Sequence, residues 1–194
     1  GRQTPRAINP HPKAPSAIKL AMPGNQFGNP VALTDEEIEV LIERFVVAAR
    51  AAEAAGFDGA QGHAAHGYLI STFLSPKANR RTDRWGGDLA GRARFLMETV
   101  KRIRASVSPG FGLSVKLNSA DFQRGGFTEA ESMATIQALA DAGIDLIEIS
   151  GGTYEAPAMS GALEDEKKAS TVAREAYFLE FAKKVRGSVK APLM

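Results

Sequence analysis

Helix-length and strand-length segments alternate regularly from residue 34 onward, and this alternation constrains the fold more than any other feature. Apolar spacing predicts helices at about 34–55, 88–107, 127–142 and 172–185, and strands at 57–63, 111–117, 144–149 and, barely begun, at 191–194. Helix-length connections between successive strands are typical of parallel βα units. The sequence therefore predicts an α/β fold with a parallel sheet.

Two common architectures repeat such units, the doubly wound sheet and the (β/α)8 barrel. A doubly wound sheet is often marked by a G-x-G-x-x-G turn after its first strand, and this sequence contains no such motif. We therefore favour the barrel, which needs eight repeats and about 250 residues. Three strands and the start of a fourth make the chain the middle part of a (β/α)8 TIM barrel.

The chain is predicted to be a single domain, 1–194, with two unlike parts. Residues 1–33 contain six of the ten prolines and little periodicity, so they predict an irregular loop region. Residues 34–194 carry the alternating units. Thr34 and Glu37 open the first helix with the pattern of a capping box, in which each side chain accepts from the backbone amide of the other residue.

Composition excludes several classes of partner. An apolar fraction of 44%, a charged fraction of 24% and a net charge of +2 are ordinary for a globular protein and do not favour nucleic acid as a partner. No apolar run approaches the ~20 residues that a membrane span needs, so we predict no membrane partner. The absence of cysteine excludes disulfides and fits a reducing compartment, so a cytoplasmic location is expected.

One short motif, Gly-His-Ala-Ala-His-Gly-Tyr at 62–68, contains half of the chain's three histidines and three tyrosines. It follows the strand predicted at 57–63, so its side chains are expected at the carboxyl end of that strand. In α/β barrels this end carries ligands and catalytic groups. We therefore predict that His63, His66 and Tyr68 are catalytic.

Other interpretations of these residue types stay open from the sequence. The His-x-x-His pair could be half of a metal site, but no nearby carboxylate or cysteine completes a ligand set, so no metal is predicted. The pair could also cap the following helix, and Tyr68 could be a packed aromatic with a satisfied hydroxyl. Ser-Gly-Gly at 150–152 could bind a phosphate through backbone amides.

Longer motifs resemble the Old Yellow Enzyme family of flavin-dependent oxidoreductases. They are Ala-Gly-Phe-Asp-Gly at 55–59, His-x-x-His-Gly-Tyr-Leu at 63–69, Phe-Leu-Ser-Pro at 73–76, Asn-Arg-Arg-Thr-Asp at 79–83, Gly-Gly at 86–87 and Arg-Ala-Arg-Phe at 92–95. The first residues resemble the segment after the family's third barrel strand, and the last residues resemble the start of its seventh. The resemblance thus implies about strands 4 to 6 and the start of strand 7, with their helices.

The resemblance also implies a chemistry. It implies FMN as cofactor, NADH or NADPH as reductant, and a small-molecule substrate such as an activated alkene or a quinone-like acceptor. His63 and His66 match the family pair that binds the carbonyl oxygen of an α,β-unsaturated compound, where two N–H donors stabilise the developing enolate. Tyr68 matches the residue that protonates the α-carbon in many members, and a phenol with a pKa of about 10 keeps its proton at neutral pH.

Lys116 takes the position of an arginine that lies beside the flavin in many members, so the resemblance implies a cofactor-binding residue that stabilises the anionic reduced flavin. Lys116 could also only extend from the barrel interior toward solvent. The chain departs from the family at Ala60 and Gly62, where larger β-branched residues are usual. Both are predicted to face the helices, so we expect weaker packing behind the strand that carries the motif.

Two alternatives to alkene reduction stay open. The 194 residues by themselves could be a non-catalytic fragment of such an enzyme. The flavin barrel could also carry another reaction, such as amine demethylation or dienoyl-thioester reduction, because the fold alone does not decide the reaction. A homo-oligomer is a further expectation of the resemblance.

Overall fold

The computed structural model describes the backbone of residues 1–156 and 167–194, and the side chains of residues 1–156 and 178–194. In chain order its elements are β1 Lys13–Ala14, β2 Val31–Ala32, α1 Asp35–Ala54, β3 Gly59–Ala64, α2 Leu69–Leu74, α3 Leu89–Ser106, β4 Gly112–Asn118, α4 Glu129–Asp141, β5 Leu146–Ser150 and α5 Lys167–Ser188. The predicted alternation is confirmed, although α5 begins before the predicted residue 172. Part of the loop predicted before it lies outside the described residues.

Strands β3, β4 and β5 form a parallel sheet in that order. The register places His63 beside Lys116, and Lys116 beside Glu148, across the three strands. The C-terminal residues begin a further parallel pairing on β5, because the amide of Ile149 donates to the carbonyl of Met194 at 2.8 Å. The strand predicted at the end of the chain therefore begins where the sequence placed it.

Helix α1 shows why the helices form where the sequence predicts them. Thr34 Oγ1 accepts from the amide of Glu37 at 3.2 Å, and the Glu37 carboxylate accepts from the amide of Thr34 at 3.0 Å, which is the predicted capping box. The buried residues of α1 lie on one face at helical spacing: Ile38, Ile42, Val46 and Ala49. That face packs on α3 and β3 and excludes water from the back of the sheet.

The two faces of the sheet differ in polarity. On β4, Leu113, Val115 and Leu117 are at most 2% exposed and pack in the core that the helices cover. Ser114 and Lys116 alternate with them and point to the opposite, concave face, since successive strand residues face opposite sides. The structure is thus an arc of a barrel, apolar outside the sheet and polar inside it.

The N-terminal region is mostly irregular, but it contains a pair of short strands that the sequence did not predict. Strands β1 and β2 pair in parallel over two residues each. Arg81 fixes this region to the body of the domain by donating to the carbonyls of Pro15 at 3.0 Å and Leu33 at 2.6 Å. Within the described residues, no helix is both long and apolar enough to cross a membrane.

Candidate functional site

The turn after β3 holds His66 in an unusual backbone conformation. His66 has φ = +60° and the next residue, Gly67, has φ = +76°. Glycine suits this conformation, and a Cβ on Gly67 would lie 2.8 Å from Nε2 of Gln3, the movable end of that side chain. A non-glycine residue in the left-handed region costs about 1–3 kcal/mol, so the surrounding contacts must offset that strain.

Two side chains from distant segments fix the backbone of His66. Its amide donates to Oδ1 of Asn118 at 3.1 Å, and its carbonyl accepts from Nε2 of Gln3 at 2.8 Å. Asn118 ends β4, and it also donates to the carbonyl of Gly152 at 2.9 Å. The end of β4 therefore ties the histidine turn to the loop that follows β5.

The two imidazoles lie side by side, with ring centroids 5.4 Å apart and planes at 83°. Nδ1 of His63 accepts from the amide of Ala65 at 3.3 Å, so the proton of a neutral ring belongs on Nε2. Nε2 of His66 lies 2.6 Å from Oγ of Ser150, which leaves Nδ1 for a ligand. Each ring can thus offer one N–H donor, provided that Ser150 donates to His66.

Both histidines are held in the neutral form near neutral pH. Partial burial lowers the pKa of His63 and of His66, and the nearby Lys116 cation lowers both further, while Glu148 opposes the shift. Neutral imidazoles can donate to a carbonyl oxygen without carrying a charge into the site. This electrostatic setting suits a site where negative charge develops on a bound oxygen.

Tyr68 lies beside His63, with ring centroids 4.9 Å apart, and its side chain is 39% exposed. Its hydroxyl is 2.7 Å from the hydroxyl of Tyr154, which comes from the loop after β5. Sequence reasoning assigned no role to Tyr154. The rule that selected Tyr68 could have found it, because Tyr154 also follows the carboxyl end of a strand.

Lys116 lies on the concave face and pairs with Glu148, whose carboxylate is 2.7 Å from its ammonium. Gln61 donates to the same carboxylate at 3.0 Å. Lys116 therefore belongs to a hydrogen-bonded network on the concave face, on the strand next to His63. The ion pair and the Gln61 contact hold the pKa of Glu148 below its usual value.

Asp121 is a buried carboxylate that binds Asn118, and sequence reasoning did not identify it. Asp121 is 2% exposed and accepts from Nδ2 of Asn118 at 3.1 Å, from Oγ of Ser75 at 2.6 Å and from the amide of Phe127 at 2.9 Å. Burial raises the pKa of Asp121, although these three donors oppose the shift. Asp121 thus orients the amide that holds His66.

Three contacts bear on the other interpretations of the motif and of the Ser-Gly-Gly turn. Helix α2 begins after Tyr68 without a side-chain cap, so the histidines do not cap it. The described residues contain no group of three or more potential metal ligands. The amide of Gly152 donates to the carbonyl of Ala120 at 2.9 Å, so the Ser-Gly-Gly turn does not offer that amide to a phosphate.

A cavity of about 570 Å³ opens beside the motif. His63 and Tyr68 line it together with Gln3, Leu69 and Ile70, among others, whereas His66 does not. The described structure thus brings all three predicted catalytic residues to one end of the sheet, and two of them to one cavity.

The model of the NADH:flavin oxidoreductase / NADH oxidase family matches residues 1–194. The chain belongs to this family. The assignment agrees with the family resemblance stated from the sequence.

Known members of the family match the chain over most of its length. NADH-dependent flavin oxidoreductase nadA of Aspergillus parasiticus is 39% identical over 97% of this chain and 42% of its own length. A 2-naphthoyl-CoA reductase structure has 35% identity and a TM-score of 0.78, covering 94% of this chain and 26% of that one. An old yellow enzyme homologue from Zymomonas mobilis has 26% identity and a TM-score of 0.74, covering 100% and 53%.

These members confirm the barrel fold, the oxidoreductase class, and FMN with NADH or NADPH as the cofactor pair of the family. This chain spans less than half of the length of the curated relatives it matches. The donor set at the concave face fits a flavin, because an ammonium has three N–H donors and the Lys116–Glu148 pair leaves capacity for a further acceptor. Lys116 therefore has donor capacity for a flavin ring, and its role as a cofactor-binding residue stays a prediction.

Proposed function

We propose that the protein containing this chain is an FMN-dependent oxidoreductase that uses NADH or NADPH to reduce activated alkenes such as α,β-unsaturated carbonyl compounds. The observation that carries the proposal is the convergence of two neutral imidazoles and one phenol at the carboxyl end of β3. A homo-oligomer and a cytoplasmic location stay predictions of the sequence.

In this proposal each side chain of the motif has its own role toward the acceptor. His63 and His66 donate hydrogen bonds to the carbonyl oxygen and stabilise the negative charge that develops there. Tyr68 gives its phenolic proton to the α-carbon. When bound, reduced FMN supplies the hydride that the β-carbon receives, and Lys116 holds positive charge at the ring.

The first test separates the two half-reactions of the full-length enzyme by stopped-flow absorbance. Tyr68→Phe should slow the oxidation of the reduced enzyme by an enone about 100-fold or more, the scale of a lost general acid. Reduction by NADPH should stay nearly unchanged, because it needs no proton from Tyr68. Equal slowing of both half-reactions would remove Tyr68 from the proton-donor role.

A second test addresses the histidine pair through binding alone. His63→Ala should raise the dissociation constant of a phenolic ligand, whose phenolate oxygen mimics the developing enolate, by about tenfold or more. His11→Ala is the matched control, because His11 is exposed in the N-terminal region and should leave binding unchanged. An unchanged affinity in His63→Ala would exclude the pair from the oxygen site.

Two alternatives are tested separately: reduction of a different substrate, and a chain that is inactive by itself. The likeness to a 2-naphthoyl-CoA reductase favours reduction of an unsaturated thioester as the second candidate. A higher kcat/KM for an enoyl thioester than for the matching enone would select it. If the 194-residue chain does not quench FMN fluorescence while the full-length protein does, the chain alone is a non-catalytic fragment.

A further inference from the structure

Two phenols meet at the mouth of the site, although they come from segments 86 residues apart. The hydroxyls of Tyr68 and Tyr154 are 2.7 Å apart, and their rings lie edge to face with centroids separated by 5.9 Å. The proposed function uses the proton of Tyr68 and leaves Tyr154 without a role. A role for Tyr154 in that proton transfer therefore rests on the proposed function.

The direction of this hydrogen bond decides whether Tyr68 can serve as a proton donor. A phenol has one proton, so a phenol that donates to its neighbour has none left for a substrate. The geometry allows either hydroxyl to donate. Tyr68 can protonate a substrate only when Tyr154 is the donor, because only then does the Tyr68 proton point elsewhere.

The surroundings of Tyr154 hold it in place for that task. Glu155, the next residue, accepts from the amide of Ala21 at 2.9 Å and forms a buried ion pair with Arg2. The ring of Phe27 lies against the ring of Tyr154, with centroids 6.4 Å apart. The N-terminal region thus fixes the loop that presents Tyr154 to the motif.

The ionisation of Tyr154 agrees with a donor role. The hydrogen bond with Tyr68 and, to a smaller extent, burial raise the pKa of Tyr154 above that of an ordinary phenol. Tyr154 therefore keeps its proton throughout the neutral range. A hydroxyl that stays protonated can stabilise a phenolate beside it.

We propose that Tyr154 is a positioning residue for proton transfer, whose O–H donates to the oxygen of Tyr68 and turns the proton of Tyr68 toward the bound acceptor. In the transfer, the O–H bond of Tyr68 breaks and a C–H bond forms at the α-carbon with the electron pair of the enolate. The pair left on oxygen makes Tyr68 a phenolate, which Tyr154 stabilises until water returns a proton. The hydride at the β-carbon would come from reduced flavin bound in the same barrel.

The kinetic test uses Tyr154→Phe in the full-length enzyme, since this change keeps the ring and removes only the hydroxyl. Oxidation of the reduced enzyme by an enone should slow about tenfold at pH 7, the scale of one hydrogen bond to a charged group. The pH above which that step slows should rise, because the phenolate has lost its donor. Reduction by NADPH should not change. Tyr68→Phe with Tyr154→Phe should be no slower than Tyr68→Phe alone.

Phe27→Leu is the matched control, because it changes the packing of the Tyr154 ring without touching the hydroxyl pair. It should leave the pH profile unmoved. The proposal is overturned if Tyr154→Phe leaves the pH profile where it was, or if it slows both half-reactions alike.

An NMR titration of the tyrosines needs neither substrate nor turnover. It therefore separates failure of this proposal from failure of the proposed function. In the full-length protein labelled with ¹³Cζ-tyrosine, the Tyr154 signal should titrate above an ordinary phenol, and Tyr68→Phe should move that titration back toward it. An unmoved titration would show that the pair does not form, which overturns the proposal. If the titration moves but Tyr68→Phe leaves oxidation by the enone unchanged, the proposed role of Tyr68 is wrong and the role of Tyr154 falls with it.

Discussion

The carboxyl end and the middle of strand β3 are built in opposite ways. At its carboxyl end, backbone and side chains of the turn are held by Asn118, Gln3 and Ser150, each through a polar contact of 3.1 Å or less. In its middle, Ala60 and Gly62 face the helices and leave a cavity of about 130 Å³. The strand is therefore tightly fixed where it carries the motif and loosely packed just before it.

This difference teaches where the geometry of the site comes from. Apolar packing behind β3 is incomplete, as expected from Ala60 and Gly62, so we infer that polar contacts do more to position His66. Polar contacts from β4, from the last residue of β5 and from the N-terminal region fix the turn directly. Because those contacts are short and directional, they can hold a strained residue within a fraction of an ångström where methyl groups would not.

Removing the Asn118 side chain should lower the free energy of unfolding more than any other change proposed for β3 or its turn. Asn118, which is 1% exposed, is the partner of the His66 amide and of the Gly152 carbonyl, and Asn118→Ala leaves both without it. The Asp121 carboxylate loses one donor and keeps those from Ser75 and Phe127. We expect a loss of about 3 kcal/mol in the free energy of unfolding of the full-length protein, measured in urea. Asn9→Ala is the control, since Asn9 is exposed and bonds only to a neighbouring amide. A loss below about 1 kcal/mol would contradict the importance given to Asn118.

Acidification should weaken the carboxyl end of β3 selectively. The pKa of His66 is lowered in the folded state, so the unfolded chain binds a proton more readily. The stability that His66 contributes is full above pH 6.5 and is lost as pH falls from there through its folded pKa. We expect His66→Gln to flatten the slope of unfolding free energy against pH below 6.5, by less than the loss in Asn118→Ala. An unchanged slope in His66→Gln would contradict the assignment.

Filling the middle of β3 should give the smallest effect, and with the opposite sign. A Cβ on Gly62 would lie 3.6 Å from Cγ2 of Val115 and 3.8 Å from the carbonyl of Ser114, which are ordinary contacts. Gly62→Ala should therefore raise the free energy of unfolding by about 0.5–1 kcal/mol, because alanine lowers the backbone entropy of the unfolded chain. Gly59→Ala is the matched contrast, because its Cβ would lie 2.5 Å from the carbonyl of Gly112 and should destabilise. A lower free energy of unfolding in Gly62→Ala would contradict this prediction, because it would mean that the fold does not accept a methyl group at this position.

Much of the fold could be read from periodicity and capping. The helices predicted at about 34–55 and 88–107 form, and each buries one face at helical spacing. The motif was found because rare residue types cluster after a strand. Strands β1 and β2 were not predicted, since two-residue pairings leave no periodic pattern. Tyr154 was overlooked because a lone tyrosine in a loop gives no signal until its partner is known.

The sequence by itself determined the βα alternation, the membership of the flavin oxidoreductase family and the identity of the residues in the motif. Those features depend on spacing along the chain, and spacing is written in the sequence. Only the tertiary structure decided which nitrogen of His63 carries the proton, that Glu148 pairs with Lys116, and that Tyr154 meets Tyr68. These depend on distances between strands that are far apart in sequence, and the register of the sheet sets such distances rather than any local pattern.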